Sequence, residues 1–146
     1  MDNLKVIVRK AKADDFESVQ QIQKTGGDAV QTNGDVIEMV DMEIQASNPN
    51  GIFGVAELNG EIIGFIYGDK LAAHWAMSSY FVVKTEYRGT DAARKLGQWF
   101  IDECKSRGAK YVLCYVEKDN PKLINFYRRF GFDSGAIEYV EMIKEI

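Results

Sequence analysis

Residues 82–96 read VVKTEYRGTDAARKL, and the fold turns on how this stretch is read. An apolar strand ends at Val83, a polar turn holds Arg88 and Gly89, and a helix begins almost at once. The first turn of such a helix leaves amide N–H groups without intrahelical partners. Those amides, at the positive end of the helix dipole, can hold a phosphate. Gly89, Ala92 and Ala93 are small enough to let a bulky anion reach the backbone, and Arg88 can add a charge-assisted contact. An ordinary capped helix has the same local pattern, so the stretch has to be read with its flanks.

Downstream, Ala93, Leu96, Phe100 and Cys104 share one face of a helix expected over residues 88–107, with Ala92 and Trp99 beside them. Gly108 ends it. Residues 111–116 read as a buried strand, residues 121–130 as a short helix opened by Pro121 and closed at Gly131, and residues 139–143 as a final strand. Upstream, residues 75–83 form a strand that is apolar on both faces at Tyr80-Phe81-Val82-Val83. Before it lie two strand-like runs, residues 52–58 and 61–67, joined by Asn59-Gly60, a strong hairpin signal. A helix is expected over residues 35–46, where Val36, Val40 and Ile44 repeat every four positions. The chain opens with a strand over residues 4–9, then a helix capped by Asp14 or Asp15, with Phe16, Val19 and Ile22 on its apolar stripe and Thr25-Gly26-Gly27 ending it. This order predicts an α/β (α+β) sandwich: one mixed, largely antiparallel sheet flanked by helices. The length of 146 residues fits a single domain over 1–146.

With these pieces in place the chain resembles the GNAT superfamily of N-acetyltransferases. The family loop, Arg/Gln-x-x-Gly-x-Gly/Ala, falls on Arg88-Gly89-Thr90-Asp91-Ala92-Ala93. The opening VIVRKAKADDFESV, the hairpin FGVAELNGEIIGFIYG and the segment RGAKYVLCYVEKDNPKLINFYRRFGF extend the resemblance over nearly the whole chain in the right order. The resemblance implies an acetyl-coenzyme A site in a splayed opening between the fourth and fifth strands. Its pantetheine arm is expected on the backbone near Phe81 and Val83, and its pyrophosphate over the amides of residues 88–93. The family's Asn and Tyr, seven residues apart, fall on Asn120 and Tyr127. Tyr127 is then the expected proton donor to the departing thiolate, as a phenol with an ordinary pKa near 10 is protonated at neutral pH. Read without the family, Tyr127 is a core tyrosine and Asn120 a helix N-cap.

Three positions depart from the family pattern. Asp91 stands where the family loop has its first glycine, and it is itself a good N-cap that can occupy the amides a phosphate would use. Glu117 stands where the family often has a further Asn. Residues 75–83 contain no carboxylate, whereas the family often has a Glu on that strand. His74, at the strand's start and with an ordinary pKa near 6.5, is the titratable candidate for a base, although a lone histidine there also reads as a surface residue. Glu43, Glu57 and ordered water are the other candidates. Two functions therefore stand side by side: acetyl transfer to an amine by direct attack, and a binding or regulatory domain on the same scaffold without turnover. Cys104 and Cys114 read as small core hydrophobes and free thiols rather than nucleophiles.

Composition narrows the partners. The chain is 46% apolar and 27% charged, with a net charge of −4. Residues 1–83 hold 6 basic and 12 acidic side chains, while residues 84–110 hold 7 and 4. That balance disfavours nucleic acid, suits a small anion at the loop, and leaves the acidic half for a cationic acceptor, a small-molecule or peptide amine. No run has the roughly 18 apolar residues of a membrane span. The N-terminus has no signal-peptide block, so a cytoplasmic site is expected. No metal-ligand spacing is present, no metal is expected, and a homodimer stays open.

Overall fold

A computed structural model describes residues 5–25 and 36–146. Its strands are β1 (Ile7–Lys10), β2 (Gly51–Leu58), β3 (Glu61–Lys70), β4 (Trp75–Val83) and β5 (Tyr111–Leu113); its helices are α1 (Phe16–Thr25), α2 (Met39–Ser47), α3 (Ala92–Ser106) and α4 (Pro121–Arg129). The strands form one five-stranded sheet in sequence order, antiparallel throughout except that β4 and β5 run parallel. The chain divides into two compact units, Met1–Tyr115 and Val116–Ile146. The sheet and α1 to α3 make up the first unit, and α4 belongs to the second.

The β2–β3 hairpin closes on Asn59 and Gly60, with φ of 52° and 81°, the left-handed pair that a two-residue turn matching strand twist requires. Each face of the sheet carries its own core. Val6, Ile52, Ala56, Ile63, Ile66 and Ala76 pack with Leu96, Phe100 and Cys104 of α3. Phe53, Val55, Ile62, Phe65 and Val82 pack with Phe16, Val19 and Ile22 of α1 and Met42 of α2. Two bulges decide which residues of β3 and β4 face each core. Ala56 pairs with Gly64 but Glu57 with Ile62, so Ile63 is an extra residue; Tyr67 pairs with Tyr80 but Gly68 with Ser78, so Ser79 is another. Each extra residue reverses which parity of the strand faces α3. Ala76 accordingly faces α3 while Tyr80 and Val82 face α1, although all three are even-numbered.

Three glycines let α3 settle close on the sheet. A Cβ at Gly54 would lie 2.6 Å from Trp99 Cε3, one at Gly64 3.2 Å from Leu96 Cδ1, and one at Gly68 2.7 Å from Phe100 Cζ. On the other face an ion pair ties β1 to the start of α1. Arg9 donates both guanidinium nitrogens to Asp15 at 2.7 and 2.8 Å and its Nε to Glu57 at 3.3 Å. Burial alone would raise the Asp15 carboxyl, but the hydrogen bonds from Arg9 and from the Lys12 amide outweigh it and hold it below the ordinary value. Asp15 therefore serves a turn over Ala13–Asp15 rather than capping α1 from outside.

Several expectations need correcting. In α2 the stripe Val36, Val40 and Ile44 is not the buried face: Val40 is 53% and Ile44 60% exposed, and Met42 and Gln45 turn inward instead. The phase follows the second bulge, where the Gly68 carbonyl takes its donor from Gln45 Nε2 at 2.6 Å. The expected start of this helix at Asp35, and Gly26-Gly27 and Leu4, lie outside the described residues. The strand expected over residues 111–116 is only three residues long and half-exposed, because it leaves the β4 ladder after Leu113. No strand forms over residues 139–143, where Tyr139 and Val140 are 79% and 82% exposed and no ladder partner supplies the hydrogen bonds. Cys104 is fully buried and Cys114 half-buried, both free, and burial pushes the Cys104 thiol up to about 12.

Gly54→Ala is expected to cost about 1–3 kcal/mol by overpacking, and adding Trp99→Leu should recover part of it; a chemical-denaturation cycle showing independent effects would contradict the close seat of α3. Asp15→Asn is expected to cost about 2 kcal/mol at pH 7. Because the folded carboxyl sits below its unfolded value, the pair's contribution is complete above the ordinary carboxylate range. It drains away as pH falls through the folded value, so parent and variant should converge in stability only once pH drops below that depressed value, beneath the ordinary carboxylate range.

Candidate functional site

The connection from β4 to α3 is built by backbone geometry. Residues Thr85–Tyr87 form a tight helical turn whose Tyr87 amide bonds the Lys84 carbonyl at 2.9 Å. Gly89 follows at φ +94°, a conformation L side chains rarely adopt; a Cβ there would meet nothing within 4 Å, so the requirement is conformational rather than steric. The Arg88 amide donates to Thr85 O and the Thr90 amide to Tyr87 O, both at 3.2 Å, and the Ala92 amide donates to Thr90 Oγ1 at 3.3 Å. The amides of Gly89, Asp91, Ala93 and Arg94 donate to no other described residue. They cluster at the N-terminus of a 15-residue helix, the geometry of an anion cradle.

Asp91 occupies the N-cap position, but its side chain caps nothing. Its carboxylate turns along the helix instead, 3.4 Å from Arg94 Nη2 and 3.3 Å from Lys95 Nζ. Lys95 also donates to the Val6 carbonyl at 3.0 Å, which fastens the start of α3 to the lead-in of β1. The competition for amides raised by the sequence therefore does not arise, and the carboxylate's charge is partly offset by two cations. Ala92 is fully buried and Ala93 half-buried, while Arg88 is exposed, its Nε 3.4 Å from the Val83 carbonyl.

Alongside the loop runs the end of β4. The β4–β5 ladder covers Trp75, Ala76 and Met77. The Lys84 amide bonds Ile63 O at 2.8 Å and so points toward β3. By alternation Val82 does too, and the backbone groups of Phe81 and Val83 point away from β3. The structure thus brings Phe81, Val83, Arg88, Gly89, Thr90, Asp91, Ala92 and Ala93 together on one side of the sheet.

The remaining candidates lie elsewhere. His74 is exposed at the opposite end of β4, up to about 30 Å along the strand from Val83. Its carbonyl accepts from the Lys110 and Tyr111 amides at 2.7 and 3.0 Å and so sets the β5 register. Asn120 and Tyr127 belong to the second unit. Asn120 is the N-cap of α4, its Oδ1 accepting from the Leu123 amide at 3.1 Å, with Pro121 in the first turn. The half-buried Tyr127 ring stands 5.4 Å from Phe126 and 5.3 Å from Phe132. Glu117, Glu43 and Glu57 are respectively exposed, exposed and bound to Arg9.

Two groups escaped the sequence reading. Tyr67 and Tyr80 face each other across β3 and β4, their rings 5.8 Å apart and nearly perpendicular. Burial first, then the charges of Asp69 and Asp41, push the Tyr67 phenol up to about 12. Glu61 accepts from Lys84 Nζ at 2.8 Å and from the Tyr87 hydroxyl at 2.7 Å. Only strand register brings either group together. Among the described residues no group of three or more His, Cys, Asp or Glu could hold a metal ion, and no helix is long and apolar enough to cross a membrane.

A sheet whose β4 runs into an amide-lined turn at the start of α3 defines an acetyltransferase-type scaffold. The chain belongs to the acetyltransferase (GNAT) family, whose model matches residues 16–132. Solved structures share the fold. The PaiA N-acetyltransferase of Thermoplasma acidophilum in complex with coenzyme A is 19% identical, with a TM-score of 0.78 over 92% of this chain and 94% of that one. An aminoglycoside N-acetyltransferase, AAC(6')-Iy in complex with CoA, is 13% identical, with a TM-score of 0.80 over 99% and 97%. A transcriptional regulator from Bacillus halodurans C-125 is 20% identical, with a TM-score of 0.76 over 96% and 100%.

Gly89→Ala is expected to lower stability by about 1–2 kcal/mol through backbone strain alone. Thermal or chemical unfolding checks it, and an unchanged stability would mean the turn does not hold its positive φ.

Proposed function

We propose that this chain transfers acetyl from acetyl-coenzyme A to an amine by direct attack in a ternary complex. The observation that carries the reading is the set of amides at Gly89, Asp91, Ala93 and Arg94 at the start of α3, next to the end of β4. The amides suit a pyrophosphate, and the outward backbone groups of Phe81 and Val83 suit an extended amide-bearing arm that pairs as a strand would. The amine nitrogen forms a bond to the thioester carbon, the carbon–sulfur bond breaks, and the thiolate takes a proton. Tyr127 is the proposed donor of that proton, re-protonated from solvent. The proton lost by the attacking ammonium goes to water. The acceptor is a small-molecule or peptide amine: residues 25–69 hold eight acidic side chains and no Lys or Arg, a field that draws ammonium groups.

A second reading, a binding domain without turnover, is favoured by one observation: β4 carries no carboxylate to serve as base. Calorimetric titration of the full chain with acetyl-coenzyme A and coenzyme A, followed by thiol-release assays on an amine panel, separates the two. Binding with turnover supports the transferase, binding without turnover the second reading, and no binding defeats both.

Tyr127→Phe is expected to leave coenzyme affinity within a few-fold and to lower kcat; an unchanged kcat with chemistry limiting removes Tyr127 from the mechanism. Asp91→Gly is expected to tighten coenzyme A about fivefold at low salt, on the order of 1 kcal/mol for one screened like charge, with the gain shrinking as salt rises. Arg88→Ala should weaken binding in either background.

A further inference from the structure

We propose that Tyr87, anchored by Glu61, is a positioning residue that holds the loop of residues 88–91 in its anion-accepting conformation. The inference rests on the reading of that loop as the coenzyme's pyrophosphate site, and it adds what keeps the site formed before the coenzyme arrives.

Tyr87 immediately precedes Arg88-Gly89 and is tied at three points. Its ring packs against the core on the α3 face, and its hydroxyl donates to Glu61 Oε2 at 2.7 Å. Its carbonyl accepts from both the amide and the hydroxyl of Thr90, at 3.2 and 2.6 Å. Thr90 Oγ1 in turn accepts from the amide of Ala92, the first residue of α3. A continuous path of bonds therefore runs from Glu61, the first residue of β3, through Tyr87 and Thr90 to the helix start. Lys84, at the other end of the tight turn, donates to the second oxygen of the same carboxylate at 2.8 Å. Both ends of the 84–87 turn are thus pinned to one side chain, which stands directly after the Asn59-Gly60 turn and pairs across it with Leu58.

The path uses the amides of Thr90 and Ala92 internally and leaves those of Gly89, Asp91, Ala93 and Arg94 open. A loop ordered on folding does not have to be ordered on binding, so the coenzyme binds without that cost. Hydrogen bonds from Lys84 and then Tyr87 hold the Glu61 carboxyl below its ordinary value, so it stays ionised as the acceptor of both. Exposed pairs of this kind contribute little to global stability. By simple charge, moreover, a carboxylate near an anion site opposes the anion, so its removal would tighten binding. Positioning predicts the opposite sign.

The test is titration of the full chain and of Glu61→Ala, Tyr87→Phe and Glu61→Gln with coenzyme A, with thermal midpoints and with kcat and KM for acetyl-coenzyme A. E61A and Y87F should each weaken coenzyme A roughly fivefold and raise the coenzyme KM more than they lower kcat, with a small change in midpoint. E61Q, which still accepts from the Tyr87 hydroxyl, should recover most of the affinity. The double variant E61A/Y87F should bind no worse than the weaker single, because the two act through one path. Equal or tighter binding by E61A and Y87F, additive losses in the double variant, or a fall of several degrees in midpoint that tracks the affinity loss would each overturn the proposal. A parent chain that binds no coenzyme A would overturn the functional reading itself, and this inference with it.

Discussion

The close seat of α3 on the sheet is the constraint from which the rest of the first unit follows. Gly54, Gly64 and Gly68 stand on three different rungs of β2 and β3, and Trp99, Leu96 and Phe100 fill the space a Cβ would take. With the helix pressed so near the strands, its axis is fixed by contacts along its middle, and its first turn has to emerge beside the end of β4. Lys95 reinforces the placement by reaching the Val6 carbonyl from the second helical turn. The open amides of the loop are therefore aimed by packing several residues away from them. Helix dipole and free N–H groups exist at every helix start; what makes this one a candidate site is the positive-φ turn at Gly89 that spreads its amides at the end of β4.

The two bulges extend the same logic to the opposite face. A regular strand shows each parity to one side only, yet β3 and β4 must fill both cores with large apolar groups. Inserting Ile63 and Ser79 shifts the parity partway along, so that Ile62 and Phe65 both reach α1 while Ile63 and Ile66 both reach α3. The second bulge also disturbs the ladder at Gly68, and Gln45 answers for its carbonyl. That hydrogen bond and the burial of Met42 go with one rotation of α2. It leaves Val40 and Ile44 facing outward, against the preference of a helix for burying its most apolar stripe.

What the sequence made legible was whatever depends on a few adjacent residues. Asn59-Gly60 specified its turn because only those φ values close a two-residue hairpin, and the Arg88-Gly89 turn announced a helix start through its small residues. The strand β4 and the face of α3 formed by Leu96, Phe100 and Cys104 were equally local patterns. What escaped depended on partners distant in the chain. The phase of α2 goes with a hydrogen bond to a carbonyl 23 residues away, which no periodicity within residues 36–47 encodes. The apolar run over residues 139–143 has strand composition, but composition supplies no ladder partner. Asp91 was read as a cap because Asp at an N-cap usually is one; two cations one turn on, Arg94 and Lys95, bid more strongly for the carboxylate.

The fate of Asp91 and of Glu61 shows how a chain with a net charge of −4 can keep an anion cradle. Two carboxylates near the loop are paired with cations, Asp91 with Arg94 and Lys95 and Glu61 with Lys84, whereas Glu86 of the tight turn is exposed to solvent. Such exposed pairs add little to stability, so stability alone gives small reason for their arrangement. Their effect on the local field is larger, because a paired carboxylate presents a dipole, and a dipole's potential falls off faster with distance than that of a lone charge. The acidic side chains of residues 36–69 lie on α2, at its N-cap, and on β2 and β3, whereas residues 84–110 hold 7 basic and 4 acidic side chains; opposite charges are therefore sorted along one chain, a separation that the net charge of −4 conceals.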